Sequence, residues 1–432
     1  MAWNNAKNRE LKDRAVKVIP GGMYGHESTA LLPEVFPQFF RKAEGCRLWD
    51  SDGNVYVDYL CAFGPNLFGY RHADIEEAAR IQRDLGDTMT GPSEIMVDLA
   101  ELFVGMISHA EWALFCKNGS DATTMAMTIA RAHTGRRKIL VAKGAYHGAL
   151  PWCTPIPAGV LPEDRAHIVT YEYNDAESLK SAFSAVGSDV AAIYATPFRH
   201  EVFKDQALPN REYAELAREL CNDSGALLVV DDVRAGFRIA RDCSWSLIGV
   251  QPDLSCWGKC FANGHPISAV LGSEKVREAA SHVFTTGSFW FSAVPMAAAI
   301  RTLKLIRDTQ YLENIIKVGT LLRDGLDQQA HAFGFTLKQS GPVQMPQMLF
   351  GEDPDFRLGY AWVSECLQRG VYLHPYHNMF LSAAHSAADV QETLKVTEQA
   401  FDRLKRTRTS LKLPPQIERF MARHSDTADT AA

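Results

Sequence analysis

The chain is short of most features that would set it apart from ordinary globular proteins. It has no C-x-x-C pair; its nine cysteines are scattered, and Cys256 and Cys260 lie four apart, which is neither a zinc-knuckle nor a redox spacing. An odd, unpatterned count argues against a disulfide scaffold and predicts reduced, mostly buried thiols in a cytoplasmic protein. Basic residues are in slight deficit, 45 Lys and Arg against 51 Asp and Glu, for a net charge of −6. That balance excludes nucleic acid and anionic membrane as main partners. Apolar runs such as GALLVV, from Gly225 to Val230, fall far short of the roughly 20 residues a membrane span needs. The opening MAWNNAKNRELKDR has no apolar h-region, so no secretion signal is expected. No G-x-G-x-x-G run follows the first strand, which removes the fingerprint a nicotinamide-dependent reductase would carry.

What is there is a 432-residue chain, 46% hydrophobic and 22% charged, long enough for two or three packed units. Short apolar runs alternate with helical patterns through its middle: WALFC (112–116), KILVA (138–142), HIVTYEY (167–173), VAAIYA (190–195) and ALLVVDD (226–232). Strands of that kind separated by helices predict an α/β fold with a mostly parallel sheet covered on both faces. Residues 62–294 are expected to form this large domain. Residues 1–61 carry a polar helix-like segment, the break at Pro20–Gly22 and a hairpin signal at Asp52-Gly53. With residues 295–424, which open on the helical stretch MAAAIRTLKLIRD, they are expected to make a smaller α+β domain from both termini. The small polar residues 425–432 are expected to be disordered.

Four blocks carry chemistry. In PDLSCWGKCFANGHPISAVLG (252–272), Lys259 sits in an apolar, aromatic setting, and burial would favour the neutral amine that Schiff-base formation requires. Read alone, a lysine whose stem is buried and whose head reaches solvent is the commoner outcome. GALLVVDDVRAGFR puts Asp231 and Asp232 at the end of an apolar strand, where α/β sheets bind ligands; at least one carboxylate should face a crevice. CKNGSDATTMAM places Gly119 and Ser120 between strand and helix, a phosphate-binding arrangement. KGAYHGAL offers Tyr146 and His147 for stacking on a planar ring. Together they describe a phosphorylated aromatic aldehyde held covalently by lysine, which fits pyridoxal 5′-phosphate.

These motifs, with GCRLWDSDGNVYVDY and FLSAAHSAADV, resemble the class III aminotransferases of PLP fold type I from about Val18 to Leu404. The 28-residue spacing from Asp231 to Lys259 suits that family. IPGG and the lack of a C-terminal arginine look most like its glutamate-1-semialdehyde aminomutase-like branch. GGMYGHES, ATPFRHE and TGSFWFSAVP are similar to bacterial transaminases that deaminate hydrolysed fumonisin. The resemblance implies a homodimer and assigns Lys259 as the Schiff-base lysine and proton carrier. Asp231 would keep the pyridine nitrogen protonated, Val233 and Tyr146 would pack on opposite ring faces, and Gly119 and Ser120 would bind phosphate. Thr286 or Ser288 would add a phosphate contact from the partner subunit.

Departures from the family pattern bear on substrate. Arg234 stands where the family usually has Gln, and Thr196-Pro197 replaces its Glu-Pro pair. No arginine lies between Val371 and Ser382 to clamp a carboxylate. With Tyr24, Phe289, Trp290 and Tyr376, this suggests a long-chain, uncharged or hydroxylated amine donor, an amino polyol, with pyruvate as 2-oxo acid acceptor. Arg199 or Arg234 would take the pyruvate carboxylate, and Tyr24, His26 and Trp290 would line the substrate path. A glutamate-1-semialdehyde-type aminomutase is the alternative built on the same Lys259 and Asp231. His374, His377 and His385 are read as packed or pocket-lining residues, with no metal site expected.

Overall fold

The computed structural model describes residues 3–199 and 201–418. Seven strands form the large sheet, in the order Trp112–Cys116, Ser268–Gly272, Leu254–Trp257, Leu227–Asp231, Val190–Ala195, Lys138–Ala142, Ile168–Tyr171. Ser268–Gly272 runs antiparallel to both neighbours, while the pairings from Leu254–Trp257 to Ile168–Tyr171 are parallel. Successive side chains point to opposite faces. Leu227 and Val229 therefore pack with Ala126 and Ile129 of the helix Gly119–Thr134, while Leu228 and Val230 join Phe103, Phe183 and Tyr213. Both faces are dry, which is why these strands read as continuous apolar runs.

The five runs seen in the sequence are all strands, although HIVTYEY narrows to Ile168–Tyr171. Leu254–Trp257 and Ser268–Gly272 were not legible as strands, because serine, cysteine and glycine interrupt a block that reads as a loop around Lys259. The long C-terminal helix begins at Ala293, ahead of the expected Met296, and ends at Asp308.

The second sheet joins the two ends of the chain. Arg47–Asp50 and Val55–Asp58 form the expected hairpin, with Gly53 turning at φ +92°. Phe40–Glu44 pairs on one side, and Val371–Tyr372 adds parallel to Val55–Asp58 on the other. The helices Arg357–Leu367 and Ala387–Thr407 cover this region, with Trp362 against Phe401 at 5.1 Å. Residues 425–432, where disorder was expected, lie outside the described residues. No described helix is long and apolar enough to cross a membrane.

One buried side chain ties three distant segments. Arg238 has no solvent exposure, yet among the described residues its guanidinium has no carboxylate partner. It donates to the carbonyls of Leu381 and of Gly64, the latter at 2.6 Å, and to Cys260 Sγ at 3.6 Å, while lying over the Phe380 ring. The N-terminal turn, the lysine loop and the C-terminal segment are thus fastened by one planar fork, which an ammonium cannot imitate. Arg238→Lys should destabilise the fold by about 3 kcal/mol, read as an earlier urea midpoint. An unchanged midpoint would show the three segments hold together without it.

Candidate active site

The parallel strands deliver their carboxyl ends to one cavity of about 320 Å³. Open α/β sheets bind ligands at this edge, beyond the strand ends. Asp231 ends its strand there; Gly258 and Lys259 follow Trp257; Asn118, Gly119 and Ser120 follow Cys116; Tyr146 and His147 follow Ala142. Residues far apart in the chain converge because adjacent parallel strands end together.

Lys259 enters the cavity from a turn held in left-handed backbone geometry, φ +46°. Its Nζ donates to the Phe63 carbonyl at 2.6 Å. That carbonyl belongs to a second strained turn, with Cys61, Ala62 and Phe63 all at positive φ. Such backbone costs on the order of 1 kcal/mol or more per residue and must be fixed by its surroundings. Asp58 does this, accepting from the Leu60 and Cys61 amides at 2.8 and 2.9 Å and from the Tyr70 hydroxyl at 2.7 Å. Burial raises the Asp58 carboxyl to about 6. Burial lowers Lys259 to about 8, with the neighbouring Arg234 guanidinium adding to the effect. A substantial neutral fraction near pH 8 makes it a usable nucleophile.

The two adjacent aspartates, which the sequence left open, are separated by the strand's alternation. Asp231 lines the cavity; its Oδ2 meets His147 Nδ1 at 2.8 Å and its Oδ1 accepts from the Val233 amide at 3.1 Å. His147 is in turn stacked on Trp152 and set edge-on to Tyr194. Asp232 points away, fully buried, and accepts from the Ser244 amide at 2.8 Å. Burial raises its carboxyl to about 6.

At the other end of the cavity, the helix Gly119–Thr134 presents its N-terminus, where the first amides lack intrahelical acceptors. A Cβ on Gly119 would lie 2.7 Å from Val233 Cγ1, so glycine leaves Val233 its place on the cavity wall. Ser120 Oγ accepts from the Ala149 amide at 3.1 Å, and Thr123 Oγ1 donates to the His147 carbonyl at 2.7 Å. Tyr146 meets His26 at 3.2 Å between OH and Nε2, and His26 packs at 5.4 Å from Phe63. The donor set therefore fits a phosphorylated, cationic heterocyclic aldehyde: helix-start amides and a hydroxyl, a carboxylate and an amine share one cavity.

Of the residues anticipated from sequence, Lys259, Asp231, Gly119, Ser120, Tyr146, Val233, His26 and Arg234 all line this cavity. Tyr24, Arg199, Thr286, Ser288 and Trp290 do not. Tyr24 is 72% exposed, Thr286 and Ser288 are exposed, and Trp290 packs beside the core of the large sheet. Arg199 is turned toward its own loop, donating to the Asp205 carbonyl at 2.9 Å. His377 also lines the cavity, whereas His374 and His385 are held in packing bonds; His374 Nδ1 accepts from the His377 amide, and His385 bridges Ser382 and the distant Asp58 carbonyl. Among the described residues no group of three or more His, Cys, Asp or Glu is arranged to hold a metal ion. The roles of Asp58, Phe63 and Asn378 were not read from the sequence. Asp58 lay inside a quoted motif but had no local sign of its task.

Comparison with known proteins agrees with this geometry. The Aminotransferase class-III profile matches residues 32–386. The chain is 65% identical over 412 residues to the aminopentol aminotransferase of Sphingopyxis macrogoltabida, covering 95% of this chain and 98% of that one. It is 31% identical over 429 residues to the glutamate-1-semialdehyde 2,1-aminomutase of Desulforamulus reducens, covering 93% and 99%. The structure of FumI from Sphingopyxis sp. MTA144, in its PLP internal aldimine form, matches with a TM-score of 0.94 at 65% identity, covering 95% and 99%. The mostly parallel seven-stranded sheet flanked by helices is that of PLP fold type I, and the chain belongs to the class III aminotransferases.

Proposed function

We propose that this protein transfers an amino group from a long-chain amino polyol, such as hydrolysed fumonisin, to pyruvate, giving a ketone and alanine. The observation that carries the reading is one cavity containing Lys259, Asp231 and the Gly119–Ser120 turn, in a chain 65% identical to an aminopentol aminotransferase. The aminomutase alternative has a relative at 31% identity and shares the same cavity chemistry.

The cofactor of this reading is pyridoxal 5′-phosphate, which when bound supplies an electron sink next to the carbon that gains or loses nitrogen. Lys259 Nζ would supply the amine that holds the cofactor's aldehyde and would carry the proton. Asp231, oriented by His147 Nδ1 and the Val233 amide, would hold the protonated ring nitrogen. Val233 and Tyr146, both on the cavity wall, would hold the ring. The amides at Gly119 and Ser120, with the Ser120 hydroxyl, take the phosphate.

The proposed assembly is a homodimer. Phe284 is 89% and Phe289 59% exposed beside Thr286 and Ser288, an apolar, aromatic patch of the kind that partners bury. Thr286 or Ser288 would then reach the partner's phosphate site, and the active species should sediment as two chains. Nine free cysteines, eight of them buried, support a cytoplasmic setting.

Alanine formation from pyruvate and a long-chain amino polyol tests the reaction. Faster alanine formation from glutamate-type amino acids would sink the donor assignment, and isomerisation of an amino aldehyde without alanine would favour the mutase. In the same assay Lys259→Ala should abolish turnover. Asp231→Asn should lower kcat/KM by about 100-fold or more, against less than about tenfold for Asp232→Asn. The reverse order would assign the ring nitrogen to Asp232.

Lysine attacks only as the neutral amine, and burial with Arg234 and Arg238 nearby lowers its pKa against the opposing Asp231 and Cys260. Capture of added cofactor by the apoprotein should therefore speed up as pH rises through about 8, followed by the change in visible absorbance. A midpoint near an ordinary lysine's value of about 10 would show that the cavity does not perturb it.

A further inference from the structure

A transaminase must seat two different molecules in one place, and here they differ in charge. The cationic side chains lining the cavity are Lys117, Arg234 and Lys259. Lys117 stands at the helix N-terminus, with its ammonium over the Phe289 ring, and Lys259 is the reacting amine. Arg234 remains. Its Nη1 donates to Asn378 Oδ1 at 2.8 Å and makes a long 3.5 Å contact with His377 Nε2. It is in no ion pair among the described residues, and none of its nitrogens is among the buried atoms that lack a partner. Its other donors therefore open into the cavity. Burial lowers the pKa of both His377 and His374, so neither ring adds its own positive charge beside Arg234.

We propose that Arg234, steered by Asn378, is a shared anchor for both substrates of the reaction proposed above, on which this inference rests. With a 2-oxo acid it takes the carboxylate; with an amino polyol it takes the hydroxyl on the carbon next to the amine. Both oxygens sit one carbon from the reacting centre, so one fixed guanidinium meets either molecule at the same distance from Lys259. A carboxylate gives a charge-assisted pair, and a hydroxyl oxygen still accepts a hydrogen bond, so the cation is never left facing apolar chain. No arginine has to move in and out of the site, which agrees with the lack of one between Val371 and Ser382. Asn378 is the positioning residue: its amide oxygen fixes one arm of the fork, and its own nitrogen is held by the Met379 carbonyl at 3.0 Å.

The test uses holoenzyme and two variants, Arg234→Met, which has no donor, and Arg234→Gln, which keeps a short one. Acceptors are pyruvate and propanal, an uncharged aldehyde of the same length. Donors are a 2-amino-3-hydroxyalkane and the matching 2-aminoalkane. In both variants the ratio of kcat/KM for pyruvate to that for propanal should fall about 100-fold, mostly through KM. The preference for the hydroxylated donor should vanish in Arg234→Met and survive in part in Arg234→Gln. Asn378→Ala should raise KM for pyruvate with little change in kcat. Ratios within threefold of the unsubstituted enzyme in an active variant would overturn the anchor. So would an equal loss with both acceptors accompanied by a shifted pH titration of the visible absorbance, which would put Arg234 on the cofactor's phenolic oxygen instead. If the unsubstituted enzyme moves no amino group to pyruvate, the underlying reading fails rather than the anchor.

Discussion

Keeping a lysine head in a cavity walled by buried strand ends is the constraint around which the rest of this structure is arranged. An ammonium there is costly, so the equilibrium moves toward the neutral amine, and Arg234 pushes it further in the same direction. Asp231 opposes that push but is itself engaged by His147 and the Val233 amide. Among the described residues the hydrogen-bond acceptor given to Lys259 is a neutral carbonyl, that of Phe63. A carboxylate in that place would hold the proton on the lysine and silence it as a nucleophile.

Supplying that carbonyl demands unusual backbone. Three consecutive non-glycine residues, Cys61 to Phe63, take left-handed conformations that are individually unfavourable. They persist because Asp58 caps the turn and Arg238 grips it through Gly64. Arg238 also reaches the lysine loop at Cys260 and the C-terminal segment at Leu381. The second sheet repeats the same joining on a larger scale, where Val371–Tyr372 completes a hairpin laid down more than 300 residues earlier. The amine's surroundings are thus built from both ends of the chain as well as its middle.

The cavity's electrostatics are asymmetric for a chemical reason. Its helix end offers amides and Lys117, suited to a phosphate, while the strand end holds one carboxylate suited to a protonated ring nitrogen. The histidines around Arg234 stay neutral through burial and so add shape and hydrogen bonding without more positive charge. Arg234 is left as a distinct cation in the cavity, tied to Asn378.

Sequence by itself determined the α/β class, because continuous apolar runs alternating with helical patterns can be satisfied only by a sheet buried on both faces. It also singled out Lys259, the Asp231–Asp232 pair and the Gly119–Ser120 turn, since each carries a local signature of residue type and neighbours, and the fold brings Lys259, Asp231 and that turn into one cavity. The residue pattern alone did not separate Asp231 from Asp232, which only the family resemblance did, because the choice depends on which face of the strand meets the cavity and neighbouring residues alternate between faces. Nor did it separate Arg199 from Arg234: only the fold turns Arg199 onto its own loop and Arg234 into the site. Phe63 and Arg238 act through bonds between a side chain and backbone carbonyls distant in the chain, Asn378 reaches Arg234 from the C-terminal part, and a carbonyl has no letter in a sequence. Those bonds exist only once the chain ends have been brought together, so the tertiary structure alone decided them.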